Sequence, residues 1–468
     1  MCDGQPTERG RALQARRIVC PVMKAAEVRL FMGIAAQHKL EVFKLDTKQA
    51  FLNGEKGEEE IYIRAPDWWP EPVPEGHALL LMKSMYGTRQ AARQWHVRIS
   101  TWMEEHGYLA VNSEKTMFMK REGKEWIMHG LFVDDMAHAS TCEKLKKNFL
   151  QAYKKDFDIT EEDIMSTFLG MEVEQSKESI KLHLDTYIQE TLDEYKSTIK
   201  KFLKPKNVPM QPGVMLEYQD CPETPDPREQ KVLRSFVAKL QFAATWTRCD
   251  ISYPASQLAR FCASAGPSHW AALHHLMGYL EANKSFKLTD HKGGKGGLTG
   301  YADSDWGNSV SRRSTTGLMA RYNNLKGMVL WRSKMQKTVS LSTAEAKYYA
   351  ASEMGIEVLY RRNLLRNMGF PQDPDTPVYE DNTACIEWGN HVIGGRERAK
   401  HIDIRKHFAH EIIQNREMRL IKVFGGGLLV DGPGAELRMD RVELINCSYG
   451  AVHARDGGAV WMDGCSVL

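Results

Sequence analysis

The stretch WIMHGLFVDDMAHA, residues 126–139, decides the fold of the first half of the chain. Two adjacent aspartates, Asp134 and Asp135, stand between two apolar runs, and the preceding Gly123 predicts a hairpin turn into the first run. If the aspartates lie at the tip of a second hairpin, both carboxylates are held at the edge of a sheet. Like charges in such a place repel each other unless a divalent cation neutralises them, and ligation by oxygen alone suits Mg²⁺.

A third carboxylate is expected near this pair. Asp46 supplies it, because it ends another apolar run within KLDTKQAF, residues 44–51. The alternative is purely structural, since an Asp-Asp dipeptide is a common turn former.

Composition limits the class of protein. With 468 residues, 42% hydrophobic and 26% charged, the chain fits two to four globular domains. A net charge of +3 neither demands nor excludes a nucleic-acid partner, and nine cysteines without a C-x-x-C pair argue against a zinc ribbon or a disulfide framework. We find neither an 18-residue apolar run nor a signal peptide. We therefore expect a cytoplasmic or nuclear protein without membrane contact.

Shifts in composition predict four blocks: residues 1–204, 205–297, 298–423 and 424–468. The second block begins with six prolines within residues 205–227 and continues with helical periodicity. In the fourth, a glycine-rich segment at 427–440 can be laid over 450–463, which suggests coils of a β-solenoid. A glycine-rich tail with a chance repeat is the alternative.

The motifs of the first block resemble those of copia-type retrotransposon polymerases. FVDD (132–135) resembles the [FY]-x-D-D box of reverse transcriptases, and LDTKQAFLNG (45–54) resembles the family's first catalytic motif. KSMYGTRQAARQW (83–95) and FLGMEV (168–173) are similar to two further motifs in the same order. The resemblance covers about residues 18–423.

The resemblance implies a polymerase site that uses two Mg²⁺ ions, with Mn²⁺ as a substitute. Asp46 and Asp134 would hold the ions that activate the primer 3′-hydroxyl and neutralise the leaving pyrophosphate, with Asp135 assisting. Phe51 would exclude a ribose 2′-hydroxyl, and Gln90 would lie under the incoming dNTP.

Three basic residues near the start of a predicted helix would contact phosphates, although a solvated helix face is an alternative: Lys83, Arg89 and Arg93.

The third block resembles a copia-type ribonuclease H domain through YAD (301–303), STAEA (342–346), EDN (380–382) and KHID (400–403). Its predicted element order, three strands, a helix, a strand and two helices, is that of the ribonuclease H fold. The resemblance implies that four acids bind two Mg²⁺ and activate water against an RNA phosphodiester: Asp303, Glu345, Asp381 and Asp403. The alternative is that Glu345 belongs to a capping box begun by Ser342, and that Asp381-Asn382 is an ordinary helix cap.

Basic residues of this block would track the backbone of an RNA–DNA hybrid: Arg312, Arg313, Lys334, Lys337, Arg396, Arg398 and Lys400.

Together these features predict an α+β protein. We expect a reverse-transcriptase palm with partial fingers and a helical thumb or connection, then an α/β ribonuclease H fold and a short solenoid-like tail. The resemblance implies an N-terminally truncated polymerase whose partners are an RNA or DNA template–primer, an RNA–DNA hybrid and dNTPs. Because part of the fingers is missing, the alternatives are an enzyme active only as a ribonuclease H, or a catalytically dead nucleic-acid-binding relic. A further alternative, a β-helix adhesion or lyase-like protein, is supported by the tail alone.

Overall fold

The computed structural model describes residues 20–55, 60–160, 163–294, 297–307, 309–322, 327–372, 374–390, 400–423, 451–453 and 459–461. The chain divides into two compact units. The first comprises Met1–Lys24 with Leu40–Met165, and the second comprises Ala25–Lys39 with Ser166–Leu468. Helix α1 (Ala25–Gln37) therefore belongs to the second unit although it precedes most of the first in sequence. Among the described helices, none is long and apolar enough to cross a bilayer.

In the part of the first unit that the structure describes there are one large sheet and two helices. Its elements are β1 (Phe43–Asp46), a 3₁₀ turn (Ala50–Asn53), β2 (Tyr62–Ile63), β3 (Leu79–Leu80), α2 (Ala91–Glu105), β4 (Leu109–Ala110), β5 (Met117–Glu122), β6 (Glu125–Phe132), β7 (Asp135–Ser140), α3 (Glu143–Asp156) and β8 (Asp163–Ile164). The strand order β4-β5-β6-β7-β1-β8 is antiparallel throughout, and β2 pairs with β3 separately.

Both helices of this unit are amphipathic, which explains how they cover the sheet. Trp95 and Trp102 lie two turns apart on α2, and Phe149 and Tyr153 lie one turn apart on α3, so each pair shares a face. All four side chains are at most 1% exposed and join one hydrophobic core. Burying such rings removes large apolar areas from water and fixes the sheet against the helices.

In its described residues the second unit contains a four-stranded sheet, a five-stranded sheet and one short two-stranded pair in the tail. Its elements after α1 are β9 (Thr167–Phe168), β10 (Met171–Gln175), β11 (Ser179–His183), α4 (Asp185–Ile199), α5 (Pro227–Trp246), α6 (Ser252–Ala259), α7 (Pro267–Ala282), β12 (Leu288–His291), β13 (Leu298–Ser304), β14 (Thr315–Tyr322), β15 (Gly327–Met335), α8 (Thr343–Asn367), β16 (Thr376–Glu380), α9 (Thr383–Asn390), α10 (Lys400–Gln414) and β17 (Met418–Lys422). The first sheet has the antiparallel order β12-β11-β10-β9.

The five-stranded sheet of the second unit has the order β15-β14-β13-β16-β17. Strands β13, β14 and β15 are antiparallel neighbours, whereas β16 lies parallel to β13 and β17 lies parallel to β16. The observed succession begins with the predicted order of three strands, a helix, a strand and two helices, and β17 follows it. The chain is a mixed α and β protein, as the sequence predicted.

Helix α1 is fixed within the second unit by the buried Arg29. Its Nε donates to Val329 O at 3.1 Å, and its Nη1 donates to Thr245 O at 2.7 Å and Trp246 O at 3.0 Å. The guanidinium also stacks on the Trp331 ring, 3.8 Å from the centroid. These contacts satisfy a buried charge with carbonyl oxygens and an aromatic face.

In the tail, the described residues form one antiparallel pair, β18 (Ala451–His453) with β19 (Ala459–Trp461). The other residues of 424–468 lie outside the described residues. The solenoid interpretation therefore stays a prediction.

Candidate functional sites

The first candidate site lies where β1 meets the hairpin of β6 and β7. Asp46, the last residue of β1, is the antiparallel partner of Asp135, the first residue of β7. Asp134 occupies the tight turn between β6 and β7, and its carbonyl accepts the Thr47 N–H at 3.0 Å. The sheet thus brings Asp46 next to the aspartate pair, which is the arrangement predicted from the two apolar runs.

The turn that carries Asp134 has an unusual backbone. Val133 has φ = 56°, a left-handed conformation that is strained for a β-branched residue. Its carbonyl accepts the Trp95 Nε1–H at 2.6 Å, so the core of the unit holds the turn in place. On the other side, Thr47 Oγ1 shares a 2.9 Å hydrogen bond with the hydroxyl of the buried Tyr153. Both strands that carry the acids are therefore tied to the helices behind the sheet.

The electrostatics of this site favour a cation. Partial burial, together with the charges of Asp134 and Asp135, raises the pKa of Asp46, while Lys44 opposes the rise. Lys44 Nζ lies 2.8 Å from Asp135 Oδ1, with both side chains partly exposed. A divalent cation would relieve the same repulsion, so the donor set fits Mg²⁺.

Two compact groups of metal-ligating side chains occur in the described part of the chain, each with its ligand atoms within 4.8 Å of one another: Asp303, Glu380 and Asp381, and Glu172, His183 and Asp185. The acids of the first site are not that close, so their side chains would have to rotate inward to share an ion.

Of the two residues predicted to contact the nucleotide, Phe51 follows the first site closely in sequence, and Gln90 lies at the start of α2. Phe51 belongs to the 3₁₀ turn that follows β1, and its ring centroid lies 4.7 Å from that of Tyr86. Its carbonyl accepts a hydrogen bond from the Ser84 hydroxyl. Gln90 is the N-cap residue of α2. A Cβ at Gly54 would lie 3.1 Å from Trp95 N, so glycine allows this turn to approach the start of α2.

The three basic residues near α2 have different surroundings. Lys83 and Arg89 precede the helix and are exposed, whereas Arg93 lies in its first turn and is half-buried. Their predicted phosphate contacts stay predictions.

The second candidate site lies at the ends of two parallel neighbours in the five-stranded sheet. Asp303 is near the end of β13, and Asp381 directly follows β16, so the parallel pairing brings the two acids together. Glu380, the last residue of β16, completes this group of ligand atoms.

A lysine lies among these acids. Lys347 Nζ, from α8, is 2.5 Å from Asp303 Oδ1 and 2.5 Å from Asp381 Oδ1. Its side chain is only 2% exposed. Burial alone would lower the pKa of Lys347, but the charges of Asp303, Glu380 and Asp381 outweigh it and raise the pKa above its ordinary value. The donor set of this site does not fit a divalent cation as it stands, because an ammonium group already lies between the oxygens.

Glu345 lies outside this group and has a capping role. Its backbone N–H donates to Ser342 Oγ at 3.1 Å, and its carboxylate accepts the Leu341 N–H at 2.8 Å. Ser342 is the N-cap of α8, so Ser342 and Glu345 form the capping interaction that the sequence offered as the alternative. Asp403 lies in α10, but its side chain is outside the described residues.

Sequence reasoning missed Glu380 and Lys347. Alternation along β16 could have indicated Glu380, because it shares the buried face with Thr376 and Val378. Its Oε1 accepts the N–H groups of Asp381 and Asn382, both at 3.0 Å. Burial is the largest cause of its raised pKa. Lys347 follows Glu345 by two positions in α8, and no local pattern in the sequence indicated its contacts with Asp303 and Asp381.

The described side chains include four of the seven basic residues predicted to contact the backbone of an RNA–DNA hybrid. Arg312 and Arg313 lie in the loop between β13 and β14, Lys334 lies near the end of β15, and Lys337 follows that strand. All four are exposed. Arg396, Arg398 and the side chain of Lys400 lie outside the described residues.

The group of Glu172, His183 and Asp185 has a local structural explanation. Glu172 accepts the N–H groups of Asp185 and Thr186 at the start of α4, at 3.1 and 3.3 Å. His183 Nδ1 lies 2.7 Å from Glu172 Oε2 and 3.2 Å from Asp185 Oδ1. The cluster thus links the N-terminus of α4 to strands β10 and β11, where acidic side chains are favourable.

Comparison with known proteins gives the family. Residues 10–212 match the family described as reverse transcriptase (RNA-dependent DNA polymerase). The retrovirus-related Pol polyprotein from transposon TNT 1-94 of Nicotiana tabacum is 30% identical over 423 residues, which are 89% of this chain and 31% of that protein. The corresponding polyprotein from transposon RE2 of Arabidopsis thaliana is 28% identical over 413 residues, 88% of this chain and 28% of the relative.

A solved structure, the foamy viral protease–reverse transcriptase in complex with double-stranded DNA, is 10% identical with a TM-score of 0.47, covering 88% of this chain and 62% of that one. The chain thus spans less than a third of the length of the two plant relatives. Residues 10–212 are a reverse transcriptase domain, and the family match and the two relatives together support a copia-type retrotransposon Pol polyprotein.

Proposed function

We propose that the chain catalyses RNA-directed DNA synthesis at the site of Asp46, Asp134 and Asp135. The observation that carries the proposal is the register of β1 against β7, which places Asp46 opposite Asp135 and beside the turn of Asp134. The match of residues 10–212 to the reverse transcriptase family supports it independently.

In this proposal Asp46 and Asp134 hold two divalent cations, with Asp135 assisting. Bound Mg²⁺ would supply charge neutralisation for phosphoryl transfer between a primer 3′-hydroxyl and a dNTP. The protein's own contribution is positioning, because the left-handed turn at Val133 is held by Trp95 and the end of β1 is held by the bond between Thr47 and Tyr153. Phe51 would exclude a 2′-hydroxyl, and Gln90 would contact the incoming nucleotide.

The architecture supports a matching assignment of the sheets. In our proposal the six-stranded sheet is the palm, the four-stranded sheet with α4 to α7 is the thumb and connection, and the five-stranded sheet has the ribonuclease H fold. The partners would be an RNA or DNA template–primer and dNTPs.

Primer extension on an RNA template tests this function. We expect the full chain to extend a labelled DNA primer with Mg²⁺ or Mn²⁺, and Asp134→Asn to lower the rate by at least about 100-fold, because one charged ligand of the ions is lost. Asp67→Asn is the matched control, since Asp67 is exposed in the same unit. Equal extension by Asp134→Asn and the control would refute the assignment.

Hydrolysis of the RNA strand of a hybrid is the second predicted activity. The convergence of Asp303, Glu380 and Asp381 supports it, whereas the capping role of Glu345 and the position of Lys347 oppose it. We therefore assign to this domain binding of an RNA–DNA hybrid, with backbone contacts from the exposed Arg312, Arg313, Lys334 and Lys337.

A further inference from the structure

We propose that Lys347 is a built-in substitute for a divalent cation at the cluster of Asp303, Glu380 and Asp381, so that this site neither binds Mg²⁺ nor hydrolyses RNA. The proposal concerns the five-stranded sheet and does not depend on polymerase activity at the first site. It rests on where the ammonium group lies, how deeply it is buried and what would follow from its displacement.

The ammonium group takes the position that an ion would need. The Lys347 nitrogen donates to Asp303 Oδ1 and to Asp381 Oδ1, both at 2.5 Å. Asp303, Asp381 and Glu380 each offer a carboxylate oxygen, and these three oxygens lie within 4.8 Å of one another. Mg²⁺ requires oxygens at about 2.0–2.1 Å in octahedral geometry. An ion and the ammonium group cannot share the same two oxygens at these distances.

The ammonium group cannot easily move aside. The Lys347 side chain is 2% exposed, and it leaves α8 beside Ala346 and Ala350, which are fully buried. Displacing the ammonium group would leave a positive charge in the interior without its two carboxylate partners, and breaking a buried pair in this way is strongly unfavourable. Since the lysine belongs to the same chain, it also binds at a high effective concentration.

The first site provides an internal contrast. There Lys44 also pairs with an acid, Asp135, but the two side chains are 32% and 22% exposed. Lys44 can therefore turn into solvent when an ion arrives, and its charge stays hydrated. Two lysine–aspartate contacts in one chain thus have opposite consequences, because one lies at the surface and the other in the interior.

One further polar atom fits this interpretation. Glu380 Oε2 is buried and has no hydrogen-bond partner among the described residues. The cluster therefore has a ligand atom to spare for an ion, and the lysine is what keeps the ion out. Replacing Lys347 with glutamate would add a fourth carboxylate at the same place and produce an all-oxygen donor set.

Calorimetric titration with Mn²⁺ tests the proposal on the full chain. All proteins carry Asp46→Asn and Asp134→Asn, so that the first site contributes no binding, and Lys347→Glu is compared with Lys231→Glu, an exposed helical lysine of the same unit. We expect no saturable binding in the background or in the control, and one added binding event in Lys347→Glu. Its Kd should be at least about tenfold below any residual binding, which corresponds to about 1.4 kcal/mol.

Three results would overturn the proposal. The first is saturable Mn²⁺ binding by the background protein that Asp303→Asn abolishes. The second is absence of binding in a folded Lys347→Glu protein, since Lys347 would then not be what excludes the ion. If circular dichroism shows that this variant is unfolded, Lys347→Gln takes its place under the same criterion. The third is Mg²⁺-dependent cleavage of an RNA–DNA hybrid by the unmodified chain that Asp381→Asn abolishes. Primer extension, measured separately, reports on the first site alone.

Discussion

Replacing Asp290 with asparagine should change how the stability of the second unit depends on pH. Asp290 lies in β12 and is 5% exposed. Burial raises its pKa to about 7, with Arg29 acting in the opposite direction. In an unfolded chain the pKa of an aspartate is about 3.9. Between these two values the folded protein holds a proton that the unfolded chain has lost, so the free energy of unfolding falls as pH rises and levels off above about pH 7.

The magnitude follows from the two pKa values. Each pH unit between them lowers the free energy of unfolding by up to about 1.4 kcal/mol, and the whole interval lowers it by about 4 kcal/mol. From about pH 5.5 to about pH 8, the unmodified protein should lose about 2 kcal/mol more than Asp290→Asn, in which the group does not titrate. At low pH the two proteins should be similar, because the native Asp290 carboxyl is then neutral as well.

Urea unfolding followed by far-UV circular dichroism measures this difference at the two pH values. Asp193→Asn is the matched control, since Asp193 is exposed on α4 in the same unit and accepts hydrogen bonds from Gln189, one turn earlier on the same helix. The control should follow the unmodified protein at both pH values. An identical pH dependence for Asp290→Asn and the unmodified protein would show that the Asp290 carboxyl is ionised throughout, and the reasoning would fail.

Two further predictions concern buried hydrogen bonds. Trp95→Phe keeps an aromatic ring but loses the bond to Val133 O, so the rate of primer extension should fall roughly tenfold while the stability loss stays near 1 kcal/mol. The control is Trp102→Phe, which lies on the same helix as Trp95 and loses a bond to Asp156 of α3. Equal rates in the two variants would contradict the positioning role. Asp250→Asn breaks a pair with Arg248 in which both side chains are at most 1% exposed, so urea unfolding should show a loss of about 3–5 kcal/mol, and a loss below about 1 kcal/mol would argue against a charged pair.

Local signals in the sequence were sufficient for the first site. Gly123 marks one turn and has φ = 63°, as a tight hairpin requires, and the Asp134–Asp135 pair marks the next. The apolar runs on either side fix the strands, and the third acid expected nearby, Asp46, ends the strand that pairs with β7. Gly369, which follows α8, has φ = 77°, the left-handed conformation typical of a glycine at a helix C-terminus.

The second site depends on contacts that no local pattern contains. Lys347 meets Asp303 and Asp381 across 44 and 34 residues of sequence, and only the packing of α8 on the sheet makes it a buried partner of both. The pattern Ser342-x-x-Glu345 satisfies a capping box and a carboxylate ligand equally well, and the choice between them depends on which way the side chain turns. Sequence alone therefore placed the acids correctly on their elements but could not choose the members of the cluster.

Helix α1 has a consequence for how this gene can be rearranged. Arg29 bonds Val329 across 300 residues, so the second unit is encoded by two separated stretches with most of the first unit between them. Recombination that exchanged only the downstream stretch would join residues 166–468 of one element to helix α1 of another. Such hybrids should be more stable where an arginine of helix α1 still donates to the carbonyl groups of residues 245, 246 and 329. We therefore expect recombination to keep helix α1 together with the segments around residues 245 and 329 that it contacts.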